Sequence, residues 1–240
     1  MSDRVDEAAF VREQYATPDN LRARKSIYAN AEGDDPREFV VEAVAATKPK
    51  RVLEVGGGEG ELAERIRRRL GAEIVGIDQS EAMVDIQRSK GIDARVGDVQ
   101  HLPFDEAEFD VAVAAWMLYH VPDLDRGLAE LARVLKPGGT LVAVTNAVDH
   151  LQELWDLAQR AASLRRFTFR SENGEAALRR HFARVERRDA KGWVTMDDEA
   201  VRSFAASWTA LGSLVNMPQL GTPIRVRRHS TVFTARKAVG

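Results

Sequence analysis

The chain has 240 residues, a formal net charge of −2, 44% hydrophobic and 30% charged residues. That balance suits a globular chain of one domain with additions, long enough to bury a substantial core. It offers no overall basic field for nucleic acid, and the absence of cysteine excludes disulfides, thiolate metal sites and a cysteine nucleophile.

The polar, acidic start "MSDRVDEAAF" carries no signal-peptide core, and no apolar run approaches the ~18 residues of a membrane span, so a cytoplasmic location is expected. Residues 5–15 and about 20–30 read as short helices separated by the turn signal "TPDN". "GDDPREFVVEAVAAT" is a clearer helix: Asp35 can cap it, Pro36 suits its first turn, and Phe39, Val40, Ala43 and Val44 fall at helical spacing. A strand–helix alternation follows. "RVLEV", "AEIVGID", "DARVGD", "FDVAVAAWM" and "GTLVAVTN" read as strands, and "GELAERIRRRL", "SEAMVDIQRSK" and "DLDRGLAELARVLK" as helices. Ser80 caps the second of these helices, Asp123 or Asp125 opens the third, and "PGG" stands after its end.

Such alternation predicts an α/β fold, a doubly wound, Rossmann-like sheet that is mostly parallel with helices on both faces. Beyond Asn146 the pattern changes. "HLQELWDLAQRAASLRRF", "NGEAALRRHF" and "DDEAVRSFAASWTAL" read as helical, "ARVERRDAKGWVTM" as a strand region, and "RHSTVFTARK" as an edge or antiparallel final strand. The expected organisation is an N-terminal helical cap over 1–34 and a main domain over 35–240. Within the latter, about 147–170 is a helical lid insertion over the ligand-binding end and 171–240 completes the sheet.

The stretch "RVLEVGGGEGELAERI" places four glycines in five positions between a strand and a helix. Glycine permits positive φ and close approach of a ligand to the backbone, and the next helix offers free N–H groups. Two ligands fit. Gly58 to Ala63 satisfies the dinucleotide fingerprint G-x-G-x-x-A, with Asp78 following at about the right distance. Alternatively, Glu54 stands two positions before the first of Gly56, Gly58 and Gly60. A carboxylate there suits an ammonium group and sits badly beside a pyrophosphate.

At these residues the sequence resembles the class I S-adenosylmethionine-dependent methyltransferases of the small-molecule, type 11 style. "LEVGGGEGELA" is similar to that family's first motif, "VGID" to the end of its second strand, "GDVQHLPFDEAEFDVAV" to its third and fourth motifs, and "WMLYHVPD" and "LARVLKPGGTLVAVT" to the segments that follow. The resemblance covers roughly residues 45–146. It implies S-adenosylmethionine as cofactor, with Asp78 on the ribose hydroxyls, Asp98 on the adenine amino group and Val99 against the ring edge. Glu54, Gly56, Gly57, Gly58 and Ala115 would line the cofactor's bed, and Gln79 and Met83 its ribose and adenine walls. In relatives an N-terminal helix folds over the cofactor, which makes Tyr15 and Arg22 candidates to touch the donor or its carboxylate. Asp78 or Asp98 alone would pass as a cap. Glu54, Asp78 and Asp98 at the ends of three successive strands share one edge of the sheet, where open α/β sheets bind ligands.

Methyl transfer from a sulfonium is a displacement that needs alignment in a water-poor pocket, and a base only where the acceptor's proton must leave. His120, beside Tyr119 just past the fourth strand, is the candidate base, and Tyr119 the candidate pocket wall. Trp116, His150 and Trp155 are candidates to line the acceptor cavity. The fourth strand lacks a following [N/D]-P-P-[Y/F/W], which argues against exocyclic amino methylation of nucleic acid. No metal cluster is apparent. The expectation is O-, N- or C-methylation of a small molecule by a monomer or homodimer. The alternatives are an RNA or protein methyltransferase using the arginine clusters ("RIRRRL", "RVRR"), a non-catalytic S-adenosylmethionine-binding module, and an NAD-dependent dehydrogenase.

Overall fold

The computed structural model describes residues 18–157, 167–207 and 218–239. Its strands are β1 (Glu32–Gly33), β2 (Arg51–Val55), β3 (Glu73–Asp78), β4 (Asp93–Val96), β5 (Phe109–Ala115), β6 (Leu135–Asn146), β7 (Arg184–Met196) and β8 (Ile224–Arg236). Its described helices are α1 (Asp19–Ser26), α2 (Pro36–Ala46), α3 (Glu61–Leu70), α4 (Glu81–Ser89), α5 (Leu124–Val134), α6 (Gln152–Leu157), α7 (Gly174–Leu178) and α8 (Asp198–Ala206). One sheet holds all the strands in the order β1–β7–β8–β6–β5–β2–β3–β4. From β6 to β4 the pairing is parallel, and β8, β7 and β1 add antiparallel on the other side.

Successive side chains of a strand point to opposite faces, and the central strands are apolar on both. Leu53, Val75, Ala112 and Leu141 enter a core with Leu128 and Leu131 of α5. Their neighbours Val52, Ile74, Val111 and Val142 enter a second core with Val40 and Val44 of α2 and Ile66 of α3. A third apolar cluster stands beyond the sheet's carboxyl end. It joins Ile27 after α1, Leu154 and Trp155 of α6, Phe167, Phe204 of α8, and Val194 and Val226 on the outer halves of β7 and β8. The cover over that end therefore draws on several separate parts of the chain.

The expected caps form. Asp35 accepts the Arg37 N–H at 3.0 Å, Ser80 the Met83 N–H at 3.4 Å, and Asp123 the Arg126 N–H at 3.0 Å. "PGG", in contrast, is no helix terminator. α5 passes directly into β6, Leu135 pairs with Phe109, and a register shift separates that pair from Val111–Thr140, so Pro137, Gly138 and Gly139 lie within an irregular strand. Gly138 supplies the positive φ of 73° there. The final strand is antiparallel but interior, between β6 and β7; the outer place belongs to β1, too short to show as a pattern. Tyr15 and the helix expected over 5–15 lie outside the described residues. None of the described helices is long and apolar enough to cross a membrane.

Asp110 ties the opposite end of the sheet together. Its Oδ2 accepts the N–H groups of Lys50 and Arg51, each at 2.9 Å, and Lys136 Nζ donates to Oδ1 at 2.7 Å. One carboxylate thus joins β2, β5 and β6. Burial alone would raise its pKa, but the Lys136 ammonium and the two amides outweigh that and hold it below the ordinary range. Its contribution is present above the unfolded-state pKa and is lost as pH falls through the lower folded value. Asp110→Ala is expected to cost about 1–3 kcal/mol, since two amides lose their acceptor; chemical denaturation at pH 7 measures it, and the loss relative to wild type should shrink in acid.

Candidate functional site

At the carboxyl end of the parallel strands β2 turns at Gly56 into the loop before α3. Gly56, Gly58 and Gly60 have φ of 65°, 55° and 75°, where only glycine is unstrained. A Cβ at Gly56 would sit 2.7 Å from Met117 Cβ, and one at Gly57 would collide with the Glu54 carboxylate. The loop is fixed from three sides. Gly56 N–H donates to Ile77 O at 2.7 Å, Gly58 N–H to Asp78 Oδ2 at 3.1 Å, and Gln87 Nε2 of α4 to Gly58 O at 2.8 Å. Gln87 escaped the sequence reading because its only signal was a polar residue on a helix's inner face.

Glu54 is 1% exposed, and its Oε2 has no hydrogen-bond partner among the described residues. Burial, then the neighbouring Asp78, raise its pKa to about 7. Burial also raises Asp78, against hydrogen bonds from Ser80, Gly58 and Gln79. Two acidic groups at the ends of adjacent strands, one with an unused oxygen, make a cradle for a cationic or hydroxyl-bearing ligand. The same carboxyl groups, where ionised, disfavour a pyrophosphate by charge.

A cavity of about 300 Å³ opens from this cradle. Glu54, Gly56, Gly57, Gly58, Asp78 and Gln79 line its first part. Met83, Val99 and Ala115 line it as well. The same cavity continues to Trp116, Tyr119, His120, His150 and Trp155. Asp98 stands outside the lining: its carboxylate accepts Gln100 N–H at 2.9 Å and the Gln100 side-chain amide at 3.0 Å, while Gly97 and Val99 on either side face the cavity. Arg22 is outside too. Its Nε and Nη2 reach Glu59 Oε1 at 2.9 and 2.7 Å, and Lys25 pairs with Glu61 at 2.7 Å, so α1 is clamped onto the glycine loop.

The far wall is shaped by two residues in left-handed backbone, Trp116 and Leu151, each with φ of 55°. Trp116 Nε1 donates to Asn146 Oδ1 at 3.1 Å. Tyr119 stacks on Phe167 at 4.9 Å and lies 4.5 Å from the His120 ring. His150 is buried, and burial drives its pKa down to about 3. Trp155 donates from Nε1 to the His150 carbonyl at 3.1 Å. Arg228, of the cluster "RVRR", lines the cavity as well; Tyr28 and Arg37 also line it and escaped the sequence reading, because each reaches it from an element with no recognisable motif.

A doubly wound sheet with an acidic, glycine-built cradle at its carboxyl edge defines a nucleoside-ligand domain of the Rossmann-like class. Residues 53–143 match the family described as Methyltransferase domain. The ubiquinone/menaquinone biosynthesis C-methyltransferase UbiE of Idiomarina loihiensis is 35% identical over 116 residues, 44% of this chain and 46% of that one. The ubiquinone biosynthesis O-methyltransferase of Hahella chejuensis is 44% identical over 104 residues, 40% of this chain and 43% of that one. An S-adenosylmethionine-dependent methyltransferase of Thermotoga maritima shares the fold, with a TM-score of 0.60 over 94% of this chain and 99% of that one at 19% identity. The chain spans about half the length of the curated relatives it matches. The matched stretch, residues 53–143, holds the cradle and is similar to the domains of S-adenosylmethionine-dependent methyltransferases, whose cofactor is S-adenosylmethionine.

The cradle's chemistry fits that cofactor. The unused Oε2 of Glu54 is complementary to an ammonium group, and Asp78 to ribose hydroxyls. Because folding raises the Glu54 pKa from 4.5 to about 7, the neutral acid stabilises the unliganded fold below its unfolded value, and this contribution is lost as pH rises through about 7. Ligand binding has the opposite sign, since an ammonium needs the ionised form. Between pH 6 and 8 S-adenosylmethionine affinity is expected to rise about tenfold, following the ionised fraction, while the unliganded protein's Tm falls. Glu54→Gln should flatten both profiles; calorimetric titration and melting at each pH read them out.

Proposed function

We propose that the chain transfers a methyl group from S-adenosylmethionine to a small-molecule acceptor bound in the same cavity. The observation that carries this reading is the continuity of one cavity, from the acidic cradle at Glu54 and Asp78 to the aromatic wall of Trp116, Tyr119 and Phe167. At about 300 Å³ it is of the size of small-molecule pockets, which run from ~300 to ~1,000 Å³. Relatives named for quinone C- and O-methylation support a small, ring-shaped acceptor.

When bound, S-adenosylmethionine supplies an electrophilic methyl group on a sulfonium. The chain's own task is alignment and exclusion of water. Glu54 and Asp78 hold the cofactor's polar ends, the glycine loop admits it against the backbone, and Met83, Val99 and Ala115 give it an apolar bed. Asp98 serves the adenine amino group once the Gln100 amide turns aside. α1 and the third apolar cluster close the space over it. Where the acceptor must lose a proton, the His120 imidazole takes it, with Tyr119 setting the ring's position; His150, held neutral down to about pH 3, cannot serve as a base at ordinary pH.

The arginine clusters favour this reading over a macromolecular substrate. Arg65 pairs with Glu38 at 2.9 Å, Arg180 with Asp125 at 2.9 Å, and Arg188 with Glu42 at 2.6 Å, so each of these charges is already answered within the fold. Titration calorimetry with S-adenosylmethionine and S-adenosylhomocysteine tests the cradle. Wild type is expected to bind both, and Asp78→Ala to bind about tenfold or more weakly, as loss of a hydrogen bond to a charged group costs. A folded wild-type protein that binds neither would sink the proposal. Transfer of labelled methyl to phenols and hydroquinones then identifies the acceptor class.

A further inference from the structure

The wall of the cavity away from the cradle is cationic. Arg228 of β8 and Arg37 at the start of α2 both line it. Elsewhere arginines meet carboxylates closely, as Arg187 meets Asp189 at 2.7 Å and Arg225 meets Glu32 at 2.8 Å. Arg228 instead has two backbone carbonyls, Glu32 O and Asp34 O, each at 3.3 Å, and among the described residues it has no ion pair. Arg37 reaches Asp35 only at 3.8 Å and lies 6.0 Å over the Trp116 ring. Burial lowers the Arg228 pKa, the mark of a guanidinium withdrawn from water without full compensation.

Tyr28 adds a donor whose direction is fixed. The His229 backbone N–H donates to His150 Nδ1 at 3.0 Å, so that nitrogen carries a lone pair. The neutral ring then holds its proton on Nε2, 3.0 Å from the Tyr28 hydroxyl oxygen, which accepts it. The Tyr28 proton is left to be donated elsewhere, and Tyr28 lines the cavity beside Arg228, whose guanidinium lies 5.6 Å over its ring. Two guanidiniums without a close carboxylate partner, and a hydroxyl with a proton left to donate, make a wall suited to an anion.

Arg228 arises apart from the cofactor's methionine end, while Arg37 stands between the two, its charge also acting on Glu61. β6 and β5 lie between β8 and β2, so at 4.7–4.9 Å per strand Arg228 arises roughly 14 Å from the strand that carries Glu54. The ammonium and carboxylate of a methionine tail share one carbon, and Lys25, whose charge acts on Glu54, is nearer to hand for that carboxylate. We propose that the methyl acceptor carries an anionic group, a carboxylate or a phosphate, held by Arg228, Arg37 and the Tyr28 hydroxyl at the far end of the cavity. This rests on the methyltransferase reading above.

The test uses the full chain saturated with S-adenosylhomocysteine, with benzoate, phenyl phosphate and benzamide as probes read by the fluorescence of the lining tryptophans. At least one anion is expected to bind about tenfold or more tightly than benzamide, and its identity separates carboxylate from phosphate. Arg228→Gln should erase the preference, Arg228→Lys should keep part of it, and Tyr28→Phe should weaken the anion alone by a few-fold. If Arg228→Gln fails to fold, the lysine and phenylalanine variants carry the comparison. Anions that bind no better than benzamide overturn the proposal, as does an Arg228→Lys or Arg228→Gln protein that loses S-adenosylhomocysteine affinity instead, since the guanidinium then serves the cofactor. Failure of wild type to bind S-adenosylhomocysteine at all is a different result and strikes the methyltransferase reading.

Discussion

Asp78 and Glu54 end adjacent parallel strands, and their carboxyl groups are brought together in a poorly hydrated corner beneath the glycine loop. Two acidic groups so placed are unfavourable in the empty protein, as the upward displacement of both pKa values records. The arrangement persists because other interactions hold it. The Gly58 amide and the Ser80 amide both spend their N–H groups on Asp78, Gln87 grips the loop from below, and Arg22 and Lys25 lock α1 over it through Glu59 and Glu61. The strain is thus stored in a rigid frame, and a cation of the right shape relieves it. A cradle of this kind gains affinity from what it lacks when empty, the hydrogen-bond partner that the described fold does not give Glu54 Oε2.

Sequence pattern made this half of the molecule legible because its physics is local. Continuous apolar runs of five to seven residues between glycines and caps suit strands buried on both faces and are short for helices, and the caps at Asp35, Ser80 and Asp123 each concern residues two or three positions apart. Chain order then places Glu54 and Asp78 at one edge, because parallel strands joined by helices all end on the same side. The Pro-Gly-Gly segment misled for the same reason. Its local signal is that of a helix stop, and only pairing with β5, which no local rule reports, makes it the irregular first part of a strand. Asp98 is a similar case: its position in the chain matched the expected pattern, while its carboxylate is occupied by a neighbour two residues away.

The far half of the cavity was illegible because its contacts are remote in sequence. Tyr28 meets His150 across 122 positions, and Arg228 meets the Asp34 carbonyl across 194. No periodicity connects such residues. They converge because the sheet changes character at β6: beyond it β8, β7 and β1 run antiparallel, and the outer halves of the two long strands lift a third apolar cluster above the sheet's edge. His150 was noticed as a histidine near a lid. Its burial and its fixed tautomer, which make it a support for Tyr28 and not a titrating group, depend on a backbone amide from β8.

The switch in strand direction also separates two recognition problems. The parallel half presents loop amides and strand-end carboxylates, which suit a cationic, hydroxyl-bearing ligand. The antiparallel half presents side chains from long strands and from a cover drawn from several parts of the chain, and these can change without disturbing the glycine loop, since β8 touches the parallel sheet only through β6. The boundary between the halves is Trp116. Its left-handed backbone at the end of β5 turns the ring onto Asn146 of β6, so that one residue stands between the glycine-loop end of the cavity and its far wall. The proposed displacement in line across that boundary would need both ligands fixed to within fractions of an ångström. The rigid seam formed by β5, β6 and the Trp116–Asn146 hydrogen bond is the part of the fold that can set that distance.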